Sequence, residues 1–377
     1  MQTQSSFRLL VVRLGAMGDI LHALPAVTAL RQAHPDWGID WIVEPRWRAL
    51  LGAEESTGSQ SARSPARPLV DHLHFAPTKR WRKAPLSRQN LHEIKALRAA
   101  LRTGGYDAVI DLQGAIRSAV VARLAGCRRL IGEAEPRERA ARWLFTERVT
   151  TRSVHVVEQD VELASAIAGD ALAPVAPWLP VDAAAEAWAD SLLPSSASLS
   201  GSPRTGPGPW GGSQPAVLIN PGAGWGAKRW PAERYAAVAQ GFVERSCRVL
   251  VNIGPDEEPL AEVILRQTGG AAIPLACTLA QLIAVTSRIA LAVAGDTGPL
   301  HLACALGRPV VGIYGPTDPS RNGPFGTHFK VLRSPQSRLD HSRHEAPEAG
   351  LLTIQPEDVL RAADALLYPE TAVETGL

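Results

Sequence analysis

Apolar positions in this chain come as short continuous runs, each followed by a polar turn and then by apolar residues at helical spacing. Residues 9–14 are apolar apart from Arg13, the mark of a strand buried on both faces of a parallel sheet. A glycine-containing turn runs from Gly15 to Asp19, and Ile20, Leu24, Val27 and Leu30 then recur with a helical period up to His34 and Pro35. Ile39, Trp41 and Val43 alternate as a second strand. Residues 108–112 predict another strand and residues 115–124 the helix after it. The unit restarts late in the chain, with strands at 217–220, 248–253, 289–294 and 309–314 and helices at 232–244 and 257–267. A last helix, 356–367, has an apolar face that either half of the chain could receive. Strand–helix alternation of this kind predicts an α/β fold with two doubly wound, Rossmann-like domains.

Residues 192–215 break the pattern with a Ser-, Pro- and Gly-rich stretch of linker or surface-loop composition. The expected domains are therefore 1–191 and 216–377, separated by that linker. A second such stretch, 54–68, reads as a disordered loop insertion in the first half.

In doubly wound sheets ligands sit at the carboxyl ends of the strands. Three turns occupy such positions, and two domains meeting at a cleft would place a site between them. The third, Gly295-Asp-Thr-Gly-Pro-Leu-His301, carries an acid, a hydroxyl, a glycine and a proline where a helix begins. Asp296 or Thr297 can cap that helix, and Pro299 suits its first turn. Free N–H groups and the positive helix end make an anion site there, suited to a phosphate or diphosphate. An ordinary capped helix explains the segment equally well. The second turn, residues 220–231, has three glycines within five positions, at 222, 224 and 226, and then Lys228. Glycines let backbone N–H groups approach an anion closely, and a lysine adds a point charge. In the first turn Asp19 stands at a helix start, where it either stabilises the helix dipole or serves as a general base aimed at a ligand.

Composition narrows the classes. The chain has 377 residues, 45% hydrophobic and 20% charged, as in soluble globular proteins. A net charge of +2 excludes bulk polyanion binding, so no nucleic-acid partner is expected and any basic surface must be local. One such run, Lys79-Arg-Trp-Arg-Lys83, puts four cations in five residues; runs like this are usually solvated loops. The four cysteines are scattered without metal-ligand spacing, which suggests a reduced, cytoplasmic setting and no metal site. Neither a signal-peptide layout nor a bilayer-spanning apolar run is evident. Trp is over-represented among the aromatics, with 10 Trp against 4 Tyr and 6 Phe.

From Arg8 to about Asp364, outside the two insertions, the chain resembles the bacterial lipopolysaccharide heptosyltransferases, glycosyltransferase family 9. The motifs that carry the resemblance are Gly18-Asp19-Ile20 with Leu24-Pro25, Asp111-Leu-Gln-Gly114, Lys228-Arg-Trp-Pro231, Asp296-Thr-Gly298 with His301-Leu302, and Gly315-Pro-Thr-Asp-Pro319. The resemblance implies the GT-B fold, two Rossmann-like domains facing across a cleft. It implies transfer of heptose, with inversion, from an ADP-heptose donor to 3-deoxy-manno-octulosonate (Kdo) of the lipopolysaccharide inner core, without an essential metal or other cofactor. Asp19 matches the catalytic base. Lys228, with the amides of Thr297 and Gly298, matches the positions that stabilise the leaving diphosphate, and Asp296 and His301 shape that loop. Glu257, or its neighbour Glu258, matches an acid that binds ribose. Ala223 and Gly224 stand where some first heptosyltransferases carry paired phosphate-binding threonines. Lys79, Arg80, Arg82 and Lys83, with Arg117 and Arg137, match acceptor-side cations; arginine's planar fork suits carboxylate and phosphate. A lipid-linked acceptor implies an enzyme of the cytoplasm working at the inner face of the membrane, where cations meet anionic lipid. The first-half motifs favour the enzyme that adds the first heptose. The glycine-rich loop is shared with the second heptosyltransferase and with relatives adding later sugars. A non-catalytic nucleotide-binding protein on the same fold is the alternative of another class.

Overall fold

The computed structural model describes residues 6–53, 63–193, 214–340 and 345–368. It divides into two compact units, 1–182 and 183–377.

The first unit begins β1 (Arg8–Val12), α1 (Met17–Ala33), β2 (Gly38–Val43), β3 (His72–Phe75), α2 (Thr78–Lys83) and α3 (Arg88–Thr103). It continues β4 (Ala108–Asp111), α4 (Ile116–Arg123), β5 (Leu130–Glu133), β6 (Glu147–Val149) and α5 (Val156–Ala168). Its six strands are ordered β3-β2-β1-β4-β5-β6, and every neighbouring pair is parallel. The central strands bury all or nearly all of their residues, so they read as unbroken apolar runs. Helices α3 and α4 close one face, with Leu97, Leu101, Ala119 and Ala122 packed on Leu10, Val12 and Val109.

The second unit begins α6 (Ala183–Leu192), β7 (Ala216–Asn220), α7 (Ala232–Glu244), β8 (Arg248–Asn252), α8 (Glu258–Gln267) and β9 (Ile273–Leu275). Next come α9 (Leu279–Thr286), β10 (Leu291–Gly295), α10 (Gly298–Ala305), β11 (Val310–Tyr314), α11 (Pro319–Asn322), β12 (Phe329–Arg333) and α12 (Pro356–Leu367). The sheet order is β12-β11-β10-β7-β8-β9, again all parallel. Trp230 anchors this core: its indole N–H donates to the Ile354 carbonyl at 3.2 Å and its ring meets Tyr235 edge-on.

One boundary differs from the sequence expectation, and one open choice is resolved. Helix α6, assigned by composition to the first domain, groups with the second unit because it packs on α9 and because Arg288 pairs with Glu186 and Asp190. The C-terminal helix α12 settles in the second unit, where Val359, Ala363 and Leu367 enter the core beside α7. Most of both composition-defined insertions, 54–62 and 194–213, lies outside the described residues.

The strand orders decide where ligands belong. In each sheet the winding reverses once, between β1 and β4 in the first and between β7 and β10 in the second. Crevices for ligands form at the carboxyl ends of such strand pairs. All three turns singled out in the sequence lie at these reversal points.

Candidate active site

In the second unit, β7 and β10 run side by side, with Ala294 in register with Asn220. Their carboxyl ends deliver two turns to one place. After β7 the chain passes Gly222, Ala223 and Gly224 into a short 3-10 segment, Gly226–Lys228. After β10 it passes Asp296 and Thr297 into α10. The Lys228 ammonium pairs with the Asp296 carboxylate and lies 4.3 Å above the Trp225 ring. The other Asp296 oxygen is 3.1 Å from His301 Nε2. Both side chains of the pair are nearly buried, Lys228 at 11% and Asp296 at 8% exposure. Burial works to raise the Asp296 pKa, but the His301 hydrogen bond and the Lys228 charge outweigh it and hold this carboxyl well below the usual range. Asp296 therefore does not cap α10. Thr297 occupies the N-cap position, and its hydroxyl turns back to the Gly295 carbonyl at 3.2 Å rather than onto the helix. The amides of the first turn are thus not taken by a side-chain cap, and Pro299 in that turn has no N–H to offer.

Glu257 closes over the same turn. Its carboxylate accepts from the Gly254 N–H at 2.9 Å, and its oxygen lies 1.8 Å from where a Cβ on Gly222 would be. Gly222 is thus glycine because the acid occupies the side-chain position. Burial raises the Glu257 pKa, opposed by Gly254 and Arg229. Glu258 is exposed, so of the two acids only Glu257 turns toward the loop. Gly224 is exposed with open space beside it, and Ala223 is half-buried. Below them Asn252 donates to Asn220 at 2.6 Å, and Asn220 reaches the Thr297 hydroxyl at 3.4 Å, which locks the two turns together.

In the first unit the turn after β1 holds Asp19. One carboxylate oxygen accepts from the Ala16 N–H at 3.0 Å, and the other is 3.8 Å from the Arg13 guanidinium. Asp19 thus caps α1, yet its side chain stays 35% exposed. Arg13 is itself buried and donates to the Asp19 carbonyl at 2.9 Å. Gly15 has φ +146°, and a Cβ there would strike the Trp47 indole at 2.6 Å. The turn after β4 is tied to this one, since Gln113 accepts from the Leu14 N–H at 2.8 Å. Asp111 organises that second turn by accepting from the N–H groups of Gln113 and Gly114 and from the Ser118 hydroxyl.

The cations expected on the acceptor side all follow carboxyl ends of first-unit strands. Lys79, Arg80, Arg82 and Lys83 lie on α2, a short helix rather than a loop. Trp81 is buried on its inner side and the four cations are exposed. Arg80 pairs with Glu93, which also accepts from the Trp81 indole at 3.1 Å. Arg117 is exposed on α4, and Arg137 is exposed just after β5. The Arg137 amide would be 3.1 Å from a Cβ on Gly114, whose φ of +62° also favours glycine. That contact brings the Arg137 backbone against the β4–α4 turn that leads into Arg117.

Residues 94–351 match the profile of Glycosyltransferase family 9 (heptosyltransferase), a span of well over half the chain. The chain belongs to glycosyltransferase family 9. It is a glycosyltransferase of the heptosyltransferase type. Lipopolysaccharide heptosyltransferase 1 of Escherichia coli is 29% identical over 349 residues, 90% of this chain and 97% of the relative. The Pseudomonas aeruginosa protein of the same name is 28% identical, covering 85% of this chain and 81% of its own length. Among solved structures, E. coli heptosyltransferase WaaC with ADP superposes with a TM-score of 0.74 at 27% identity, covering 96% of this chain and all of that one. The α/β GT-B fold expected from the sequence is the fold of that structure.

The family motifs do not contain every group at these turns. Asp160, on α5, is fully buried, and its Oδ2 lacks a hydrogen-bond partner. Burial lifts its pKa from 3.8 to about 7, against the pull of the Arg13 charge and with the help of Asp19, Glu133 and Asp111. The same cause lifts Asp111 to about 6. The signal was present in the sequence: Asp160 stands among Val157, Val161 and Ala164 on the buried face of an amphipathic helix, where a carboxylate is out of place. An acid with a raised folded pKa is neutral in the native protein before it is neutral in the unfolded chain. Its contribution is fully present below about pH 4 and is lost as pH rises toward 7. The loss is on the order of 4 kcal/mol. Asp160→Asn should therefore flatten the fall in Tm between pH 5 and pH 8; an unchanged pH profile would show that this carboxyl does not titrate in that range.

Proposed function

We propose that this enzyme transfers heptose from ADP-heptose to Kdo of Kdo-lipid A, the lipopolysaccharide inner-core acceptor, with inversion at the anomeric carbon. The observation that carries the reading is the Lys228–Asp296–His301 cluster at the β7–β10 reversal point, opening onto the α10 N-terminus. It suits the diphosphate of a nucleotide sugar, and one relative sharing this fold, E. coli WaaC, has been solved with ADP and with ADP-2-deoxy-2-fluoro heptose. In this reading Asp19 takes the proton of the acceptor hydroxyl as that oxygen attacks the anomeric carbon and the ADP departs from the opposite face. Negative charge grows on the departing diphosphate. Lys228 and the amides of Thr297 and Gly298 meet it, and Asp296 and His301 hold the lysine and the loop in place. Glu257 accepts from the ribose hydroxyls. Backbone N–H groups at Ala223 and Gly224 take the part of the absent threonine hydroxyls. Lys79, Arg80, Arg82, Lys83, Arg117 and Arg137 bind the carboxylate and phosphates of the acceptor. Protein cations supply the leaving-group stabilisation, so no essential metal or cofactor is invoked. The enzyme works in the cytoplasm at the inner membrane face, where its lipid-linked acceptor lies. Among the described residues no helix is long and apolar enough to cross a membrane.

A second reading, addition of a later sugar, draws on the Pro221-Gly-Ala-Gly224 loop. A transfer assay separates the two. ADP-heptose and other nucleotide sugars are paired with Kdo-lipid A, with lipid A lacking Kdo, and with an already heptosylated acceptor. Transfer to Kdo-lipid A alone is expected, undiminished by a chelator. Equal transfer to acceptor lacking Kdo would refute the role of the α2 cations, and preference for the heptosylated acceptor would establish the second reading.

A further inference from the structure

Trp143 is 68% exposed, far more than Trp41 or Trp230, whose rings build the two cores. It sits on a 3-10 segment, Arg139–Leu144, pinned to the first unit by buried Ala141 and Phe145, so its outward direction is fixed by packing. Two guanidiniums flank the ring, Arg142 at 4.9 Å and Arg148 at 5.5 Å from its centroid. Arg148 also donates to the Arg142 carbonyl at 3.0 Å, which ties the edge strand β6 to the segment. Helix α4, packed against that segment, exposes Ile116 at 43% and Val120 at 50%. Residues 116–149 carry eight arginines and four glutamates. Three of those acids are already engaged, Glu147 with Arg129, Glu138 with the Ile116 N–H and Glu133 with the Thr151 hydroxyl.

Single exposed apolar residues are ordinary. An exposed indole held between two arginines, beside two exposed aliphatic residues and in a region of net positive charge, is a different composition. Indole rings settle at the headgroup level of a bilayer, and arginines pair with lipid phosphates there while their stems cover apolar surface. We propose that the Arg139–Leu144 segment, with Trp143 at its tip, docks the first unit on an anionic lipid surface. Exposed Arg117 lies between Ile116 and Val120 on α4, and exposed Arg137 lies two residues before the segment. Docking would therefore present these acceptor cations to headgroups in the plane of the membrane. The purpose assigned to docking rests on the lipid-linked acceptor proposed above; the docking itself does not.

Flotation of the full chain with vesicles tests it. Binding is expected to vesicles of phosphatidylcholine with one-quarter phosphatidylglycerol and to be weak with phosphatidylcholine alone. Trp143→Ser should lower the vesicle partition coefficient at least several-fold, and Arg142→Gln with Arg148→Gln should lower it about fivefold per arginine at low salt. All variants should keep the wild-type circular dichroism and Tm, and transfer to detergent-dispersed acceptor should be unchanged. Equal vesicle binding by wild type and Trp143→Ser, or no binding by wild type, overturns the proposal. A protein that binds vesicles through Trp143 but transfers nothing to Kdo-lipid A would overturn the acceptor reading and leave the docking surface standing.

Discussion

Asp19→Asn is expected to lower kcat by about two to four orders of magnitude, the usual worth of a positioned general base, while the affinity for the ADP-sugar changes little. The asparagine oxygen can still accept from the Ala16 N–H, so the cap on α1 survives. What disappears is the charge proposed to accept a proton, together with the Arg13 ion pair at 3.8 Å. The pair is long, Asp19 is more than a third exposed, and buried Arg13 keeps its hydrogen bond to the residue 19 carbonyl, so losing the pair should leave Tm nearly unchanged. Turnover on Kdo-lipid A, donor affinity by calorimetry and Tm are measured on the same preparation. Lost binding with normal turnover would show that Asp19 is structural. Collapse of Tm would show that its capping role needs the negative charge. The geometry allows capping and catalysis together, since one oxygen serves the helix and the other is left to Arg13 and solvent.

The sequence carried the central strands and several helices well, and the physical reason is burial. β1, β4, β7, β10 and β11 are continuous apolar runs, and α7 and α12 were legible to the residue. The strands it did not reveal are β5 and the four sheet edges, β3, β6, β9 and β12. Edge strands are half exposed, as in β12 with its Phe329 and Lys330, and β6 and β9 have only three residues. Neither an apolar run nor a clean alternation can develop over so few positions. Helices α3 and α5 carry amphipathic spacing and were within reach of the sequence; the expectation omits them. The candidate site divides in the same way. Its turns were legible because glycine, proline and capping residues have local meanings. The pairing of Lys228 with Asp296 was not, because it spans 68 residues and depends on β7 lying beside β10. Which of Glu257 and Glu258 turns toward the loop likewise waited on the contact with Gly222.

Replacing Lys228 should be costly in two separable ways. Lys228→Met removes the cation proposed to meet the leaving diphosphate, and kcat should fall roughly 10²- to 10³-fold with a smaller change in donor KM, since that charge peaks in the transition state. It also strands the Asp296 carboxylate, 8% exposed, with His301 as its remaining hydrogen-bond partner. Breaking one side of a buried pair typically costs about 3–5 kcal/mol, which urea unfolding would register as a lower midpoint. Adding Asp296→Asn removes the orphaned charge, and the amide can still meet His301. The double variant should therefore recover most of the lost stability and none of the lost turnover. That dissociation is the informative result. If Lys228→Met with Asp296→Asn turned over like wild type, the lysine would be there only to neutralise its neighbour, and the leaving-group charge would have to be met by the Thr297 and Gly298 amides alone. If stability stayed low in the double variant while the fold was intact, the pair would be holding the two turns together by geometry rather than by charge. The pairing partner would then have to be sought in the Trp225 ring, 4.3 Å beneath the ammonium.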